Sequence, residues 1–107
     1  ILRLHLSDEL EQYIVNVVVA TRDPGVVDES LKGQVMYGAS PRACMGIDRA
    51  ARAHAWLKGR DYVGPEDIQA VAPDVLRHRL VLSFEAEADG VLPDAIIEGV
   101  LNGVGVP

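Results

Sequence analysis

Tyr37-Gly38-Ala39-Ser40-Pro41-Arg42-Ala43 opens the clearest element of this chain and decides how the rest is read. Ser40 reads as an N-cap and Pro41 as the first helical residue, where a missing N–H costs nothing. Arg42 then falls in the first turn, beside unpaired backbone N–H groups and the positive end of the helix dipole. An anion placed there meets a guanidinium and helix-terminal donors together, which is phosphate-handling geometry. Taken alone, Ser-Pro-Arg more often marks a solvated arginine behind a good cap. What surrounds it shifts that balance.

The helix runs from Pro41 to Lys58. Ala43, Ile47, Ala50, His54 and Leu57 share one face, expected to be buried. Arg42, Arg49, Ala53, Trp56 and Arg60 line another. Gly59 is placed to end it. His54, on the apolar face, reads as a packed or rim histidine, because no second metal ligand sits at suitable spacing. Upstream, Ser7-Asp8-Glu9 opens a first helix with a capping hydroxyl and two carboxylates. Its buried stripe is Leu10, Tyr13, Ile14, Val17 and Thr21. Asp23-Pro24-Gly25 stops it, residues 23–33 read as a loop, and Gln34 to Tyr37 as a short strand.

Downstream, Pro65-Glu66-Asp67 starts a third helix with Ile68, Val71 and Ala72 inward. Pro73 is expected to break or kink it, with a further turn or two over Asp74 to His78. Leu80, Leu82, Phe84 and Ala86 alternate with polar or outward residues, which predicts a strand that pairs with 34–37. Asp89-Gly90 is a turn, and Pro93 to Asn102 a last helix with Ile96, Ile97, Val100 and Leu101 inward. The expected fold is mainly α: a small helical bundle with a short two-stranded β patch.

The 107 residues suggest one domain, and composition bounds its class. The hydrophobic fraction is 49% and only 5% is aromatic, so Val, Leu, Ile and Ala must fill the core. No apolar run reaches the roughly 18 residues of a membrane span. Ile1-Leu2-Arg3 is too short for a signal peptide and looks like the cut end of a longer polypeptide. The single Cys44 excludes an internal disulfide and fits a reducing, cytoplasmic compartment. Net charge is −6, yet residues 42–60 carry five basic side chains against Asp48 alone. An acidic domain with one basic helix is a poor nucleic-acid binder and a better receptor for a small, highly charged ligand.

Other chemistries are excluded or disfavoured. The chain has no phosphate loop of the Gly-x-x-x-x-Gly-Lys-Ser/Thr type and no Gly-x-Gly-x-x-Gly. His5, His54 and His78 are too scattered for a metal site. Cys44 lies some 200° around the helix from Arg42 and reads as an inert thiol. Glu66 and Asp67 have a structural task at a helix start.

Several segments together carry a resemblance. They are Gly38-Ala39-Ser40-Pro41-Arg42-Ala43, Ala50-Ala51-Arg52-Ala53, Leu57-Lys58-Gly59-Arg60-Asp61-Tyr62-Val63, Pro65-Glu66-Asp67-Ile68, Val75-Leu76-Arg77-His78-Arg79-Leu80 and Val104-Gly105-Val106-Pro107. Leu6-Ser7-Asp8-Glu9-Leu10, Tyr13-Ile14 and Ala20-Thr21-Arg22-Asp23-Pro24 extend it upstream. In order and spacing this set resembles the C-terminal lid domain of MoxR-family AAA+ ATPases, over essentially the whole chain. Cys44-Met45-Gly46 departs from the pattern, since Gly46 costs about 1 kcal/mol against Ala in a helix. Close packing against a neighbouring element would account for it.

The resemblance implies that residues 1–107 form one lid domain behind a nucleotide-binding α/β domain. It implies a second-sensor role for Arg42, reaching the terminal phosphates of ATP, with Ser40 and Pro41 positioning it. It further implies Mg-ATP in the full-length parent, a ring of subunits, and chaperone-like remodelling of clients, von Willebrand A-domain proteins among them. Lacking a phosphate loop, this chain alone is expected not to be an enzyme. The alternative is an autonomous helical interaction module that binds a protein through the basic 42–60 face.

Overall fold

Ser7 starts the first helix as its spacing predicts: its Oγ accepts a 3.2 Å hydrogen bond from Leu10 N–H. Asp8, Glu9 and Glu11 fill the electropositive first turn of this helix, α1 (Asp8–Arg22). The computed structural model describes residues 5–107. After α1 come two short 3-10 turns, Pro24–Val26 and Glu29–Leu31, where sequence predicts an unpatterned loop. Strand β1 (Val35–Tyr37), α2 (Arg42–Leu57), α3 (Pro65–Leu76), β2 (Val81–Leu82), α4 (Phe84–Ala88) and α5 (Pro93–Gly103) follow. The expected helical bundle with a two-stranded patch is what forms.

The predicted stripe of α1 is buried in full, from Leu10 to Thr21. In α2 the stripe runs differently. Ala43, Ile47, Ala51 and Ala55 are completely buried, Ala50 and His54 are half-buried, and Leu57 is 76% exposed. The buried row repeats every four residues, the ridge along which one helix crosses another. Three of its four members are alanine, so α3 can lie close against α2, its most extensive partner. A pattern weighted by side-chain size favours Leu57 over those alanines, and that is why the expected face drifts off the real one. Gly46 belongs to the same contact: a Cβ there would stand 3.2 Å from Val75 Cγ1.

This contact sets a direct test of register. Ile47→Ala should cost roughly 2–5 kcal/mol, the range for emptying a buried aliphatic site. Leu57→Ala should stay within about 0.5 kcal/mol, as exposed substitutions do. Denaturant unfolding of both reads the difference, and equal costs would contradict the packing described.

Pro73 does not break α3, which continues to Leu76. The ring removes one hydrogen bond, a cost of about 3 kcal/mol in a helix interior. Ile68, Ala72 and Leu76 are fully buried on both sides of it and hold the two halves on one core. The helix then closes through Arg77 N–H to Pro73 O, 2.9 Å.

β1 and β2 pair antiparallel, Val35 opposite Leu82 and Tyr37 opposite Val81, as the need to pair a lone strand predicts. The second strand is shorter than its alternation suggests. Ser83 ends it by capping α4, with Oγ accepting from Ala86 N–H at 3.2 Å. Phe84, expected inward on the strand, begins that helix and is 80% exposed. The acidic residues after Ser83 were the available signal of a helix start. In α5, Ile96, Ile97 and Val100 are fully buried, with Leu101 half-buried beside them.

Candidate functional site

Arg42 is the first residue of α2 and exposed, as expected, but the turn beneath it is built differently. Pro41 occupies the N-cap position with φ −55° and ψ −23°, already helical, because its ring fixes φ there. Ser40, one residue further out, makes no capping bond with its hydroxyl. It contributes its carbonyl, which accepts from Ala43 N–H at 2.9 Å, while the Pro41 carbonyl accepts from Cys44 N–H at 3.0 Å. Two of the first-turn donors are thus engaged, so an anion at this end would depend on the guanidinium and the helix dipole. Among the described residues, Arg42 makes no hydrogen bond or ion pair.

The approach to Arg42 is fixed from α1, through residues whose role the sequence pattern does not reveal. Thr21, fully buried, accepts from Ala39 N–H at 3.0 Å and donates its own hydroxyl to Val18 O at 2.6 Å. Arg22 Nε donates to Ala39 O at 3.2 Å. Gly38 lies flat on the same turn, where a Cβ would come within 2.5 Å of Arg22 Cα. Periodicity places Thr21 on the core stripe, which is correct, but periodicity carries no information about a partner eighteen residues away.

The other basic residues of 42–60 do not converge on this point. Arg49 is exposed on the face of Arg42, Met45 and Trp56. Arg52 pairs with Asp48 one turn back. Arg60, expected on the Arg42 face, lies beyond the helix and turns inward to Asp67 and to Glu66 at 2.5 Å. Asp67 is a wholly buried carboxylate that accepts from Arg60 Nη2 and from Gly64 N–H at 2.8 Å, and it stands 2.6 Å from His54 Nδ1. These bonds staple the end of α2 to the start of α3; the Gly64 bond is the helix-start task expected of Asp67, and the bonds to Arg60 and His54 go beyond it. His54 is accordingly a rim histidine. Cys44 is half-buried, and burial pushes its thiol pKa up, away from the thiolate a nucleophile needs.

Residues 30–100 match the family model described as an AAA lid domain. The chain belongs to the AAA lid domain family. Its relatives place this lid with the MoxR type. It is 50% identical over 99 residues to Chaperone MoxR1 of Mycobacterium tuberculosis, covering 92% of this chain and 26% of that protein. With Protein MoxR of Paracoccus denitrificans the identity is 36% over 110 residues, or 96% of this chain and 32% of that one. A 33-residue stretch, 31% of this chain and 8% of the relative, is 70% identical to magnesium-chelatase subunit ChlI of Nicotiana tabacum. Among solved structures, a Cytophaga hutchinsonii protein described as an ATPase superposes with a TM-score of 0.92 at 43% identity. The match covers 98% of the lid and 32% of that chain. The lid therefore spans between a quarter and a third of the full MoxR-type relatives it matches.

Proposed function

We propose that this lid completes the ATP site of a MoxR-type AAA+ ATPase, with Arg42 as the sensor that reaches the terminal phosphates. In this reading residues 1–107 form one C-terminal lid domain, and the parent's α/β domain supplies the phosphate loop and holds Mg-ATP. A single observation carries it. Arg42 is exposed and unpaired among the described residues, at an electropositive helix start that α1 holds in place. A guanidinium so placed is free to take phosphate oxygens in a bidentate fork. The names of relatives as a chaperone and as an ATPase support the wider role: a ring of subunits that couples hydrolysis to client remodelling. Clients with von Willebrand A domains belong to that proposal.

Two tests bear on it. Residues 1–107 alone should fold and show only background ATP hydrolysis, since no phosphate loop or metal-binding acidic pair is present to position the γ-phosphate. Turnover that scales with purified chain and survives a contaminant control would contradict this. In the full-length parent, hydrolysis by Arg42→Ala and Arg49→Ala is the deciding comparison.

A second reading rests on a specific observation: Met45, Trp56 and Leu57 are 61%, 55% and 76% exposed along α2 beside Arg42 and Arg49. Such a mixed basic and apolar face suits a protein partner. Equal, small effects at Arg42 and Arg49 would favour that interaction module.

A further inference from the structure

Two motifs of the sequence, Ala20-Thr21-Arg22-Asp23-Pro24 and Gly38-Ala39-Ser40-Pro41-Arg42, are eighteen residues apart and meet in space. Both backbone polar groups of Ala39 go to consecutive side chains of α1, its N–H to Thr21 Oγ1 and its carbonyl to Arg22 Nε. Ala39 is wholly buried, so no water replaces either partner. Gly38 presses against backbone atoms of Thr21 and Arg22 that cannot give way. Only Ser40 and Pro41 separate this clamp from Arg42, and their carbonyls are tied into the first turn of α2. Few torsions remain soft between α1 and the Cα of Arg42. Pro41 fixes one of them with its ring.

We propose that Thr21, with Arg22 beside it, is a positioning residue for Arg42: its hydroxyl holds the 38–41 segment so that the guanidinium starts from a fixed point. This inference rests on the reading of Arg42 as the phosphate-reaching residue. The physical reason to build such a clamp is that a catalytic donor must be held in place before charge develops, and small misplacement is costly. A packed valine would fill the space of Thr21 equally well. It would leave Ala39 N–H buried without an acceptor, and the segment would shift to find one.

The test is a double-mutant cycle in the full-length parent, read as ATP hydrolysis with folding checked by thermal unfolding. Thr21→Val should lower hydrolysis on the order of ten- to a hundredfold, the scale of a displaced catalytic group. Thr21→Ser, which keeps both hydrogen bonds, should restore it. In an Arg42→Ala background Thr21→Val should have no further effect, because it acts through Arg42. Arg22→Ala removes only the bond to Ala39 O from an exposed side chain. It keeps the test open if Thr21→Val fails to fold, and its loss should vanish in the same background. Losses that persist undiminished without Arg42 mean that the clamp is merely structural, and they overturn the proposal. So does full hydrolysis by folded Thr21→Val, or by Arg22→Ala where that variant stands in. Arg42→Ala with unchanged hydrolysis instead refutes the reading of Arg42 itself, so the two failures are distinguishable.

Discussion

Arg42→Ala in the full-length parent should lower ATP hydrolysis by roughly 10²–10³-fold, the scale of removing one preorganised donor to developing charge. The side chain is exposed and unpaired among the described residues, so unfolding free energy should move by less than about 0.5 kcal/mol. Loss of function without loss of fold is the signature expected. Arg42→Lys keeps the charge but not the planar fork, and should recover only part of the activity. Arg49 is the control: it shares the exposed face and lies two turns, about 10 Å, further along the helix. At that separation in salt its field at the phosphate is largely screened. Arg60 cannot serve as a second control, because it is bonded into the Asp67 staple.

Asp67→Ala should destabilise the lid by about 3–5 kcal/mol, the cost of removing one member of a buried, bonded charge pair. The carboxylate is fully buried, and its loss strips Arg60 Nη2, Gly64 N–H and His54 Nδ1 of an acceptor together. With domain stabilities of about 5–15 kcal/mol, that is a large share of the total. Arg60→Ala should cost less, since Arg60 is partly exposed and its removal leaves Asp67 with His54 and Gly64. Urea unfolding measures both variants. A loss below about 1 kcal/mol at Asp67 would mean that the staple is incidental to the fold.

Much of this architecture was legible in the sequence, for reasons that differ by element. The burial of Leu10, Tyr13, Ile14 and Val17 in α1 follows from their size and helical spacing, whereas the apolar run Val17-Val18-Val19-Ala20 hides from periodicity that Val18 and Ala20 are buried and Val19 exposed. In α2 the pattern failed at Ala51, Ala55 and Leu57. Close helix packing selects small side chains, and size-weighted periodicity undervalues them. The strand through Phe84 failed because alternation over four residues cannot distinguish a strand from a strand end followed by a capped turn. Arg42 was legible as an exposed first-turn arginine. Its cap differs, because α2 starts at Arg42, one residue later than a cap at Ser40 requires, and Pro41 takes the cap position with no side-chain bond to give. Thr21, Arg22 and Arg60 were out of reach. Their partners lie across the fold, where local periodicity has nothing to say.

The most direct measurement is a crystal structure of the full-length parent with a non-hydrolysable ATP analogue and Mg2+. An Arg42 guanidinium nitrogen is expected within about 3.2 Å of a β- or γ-phosphate oxygen, with Ala39 still bonded to Thr21. An occupied nucleotide site with Arg42 directed into solvent or against another protein surface would contradict the sensor role of Arg42.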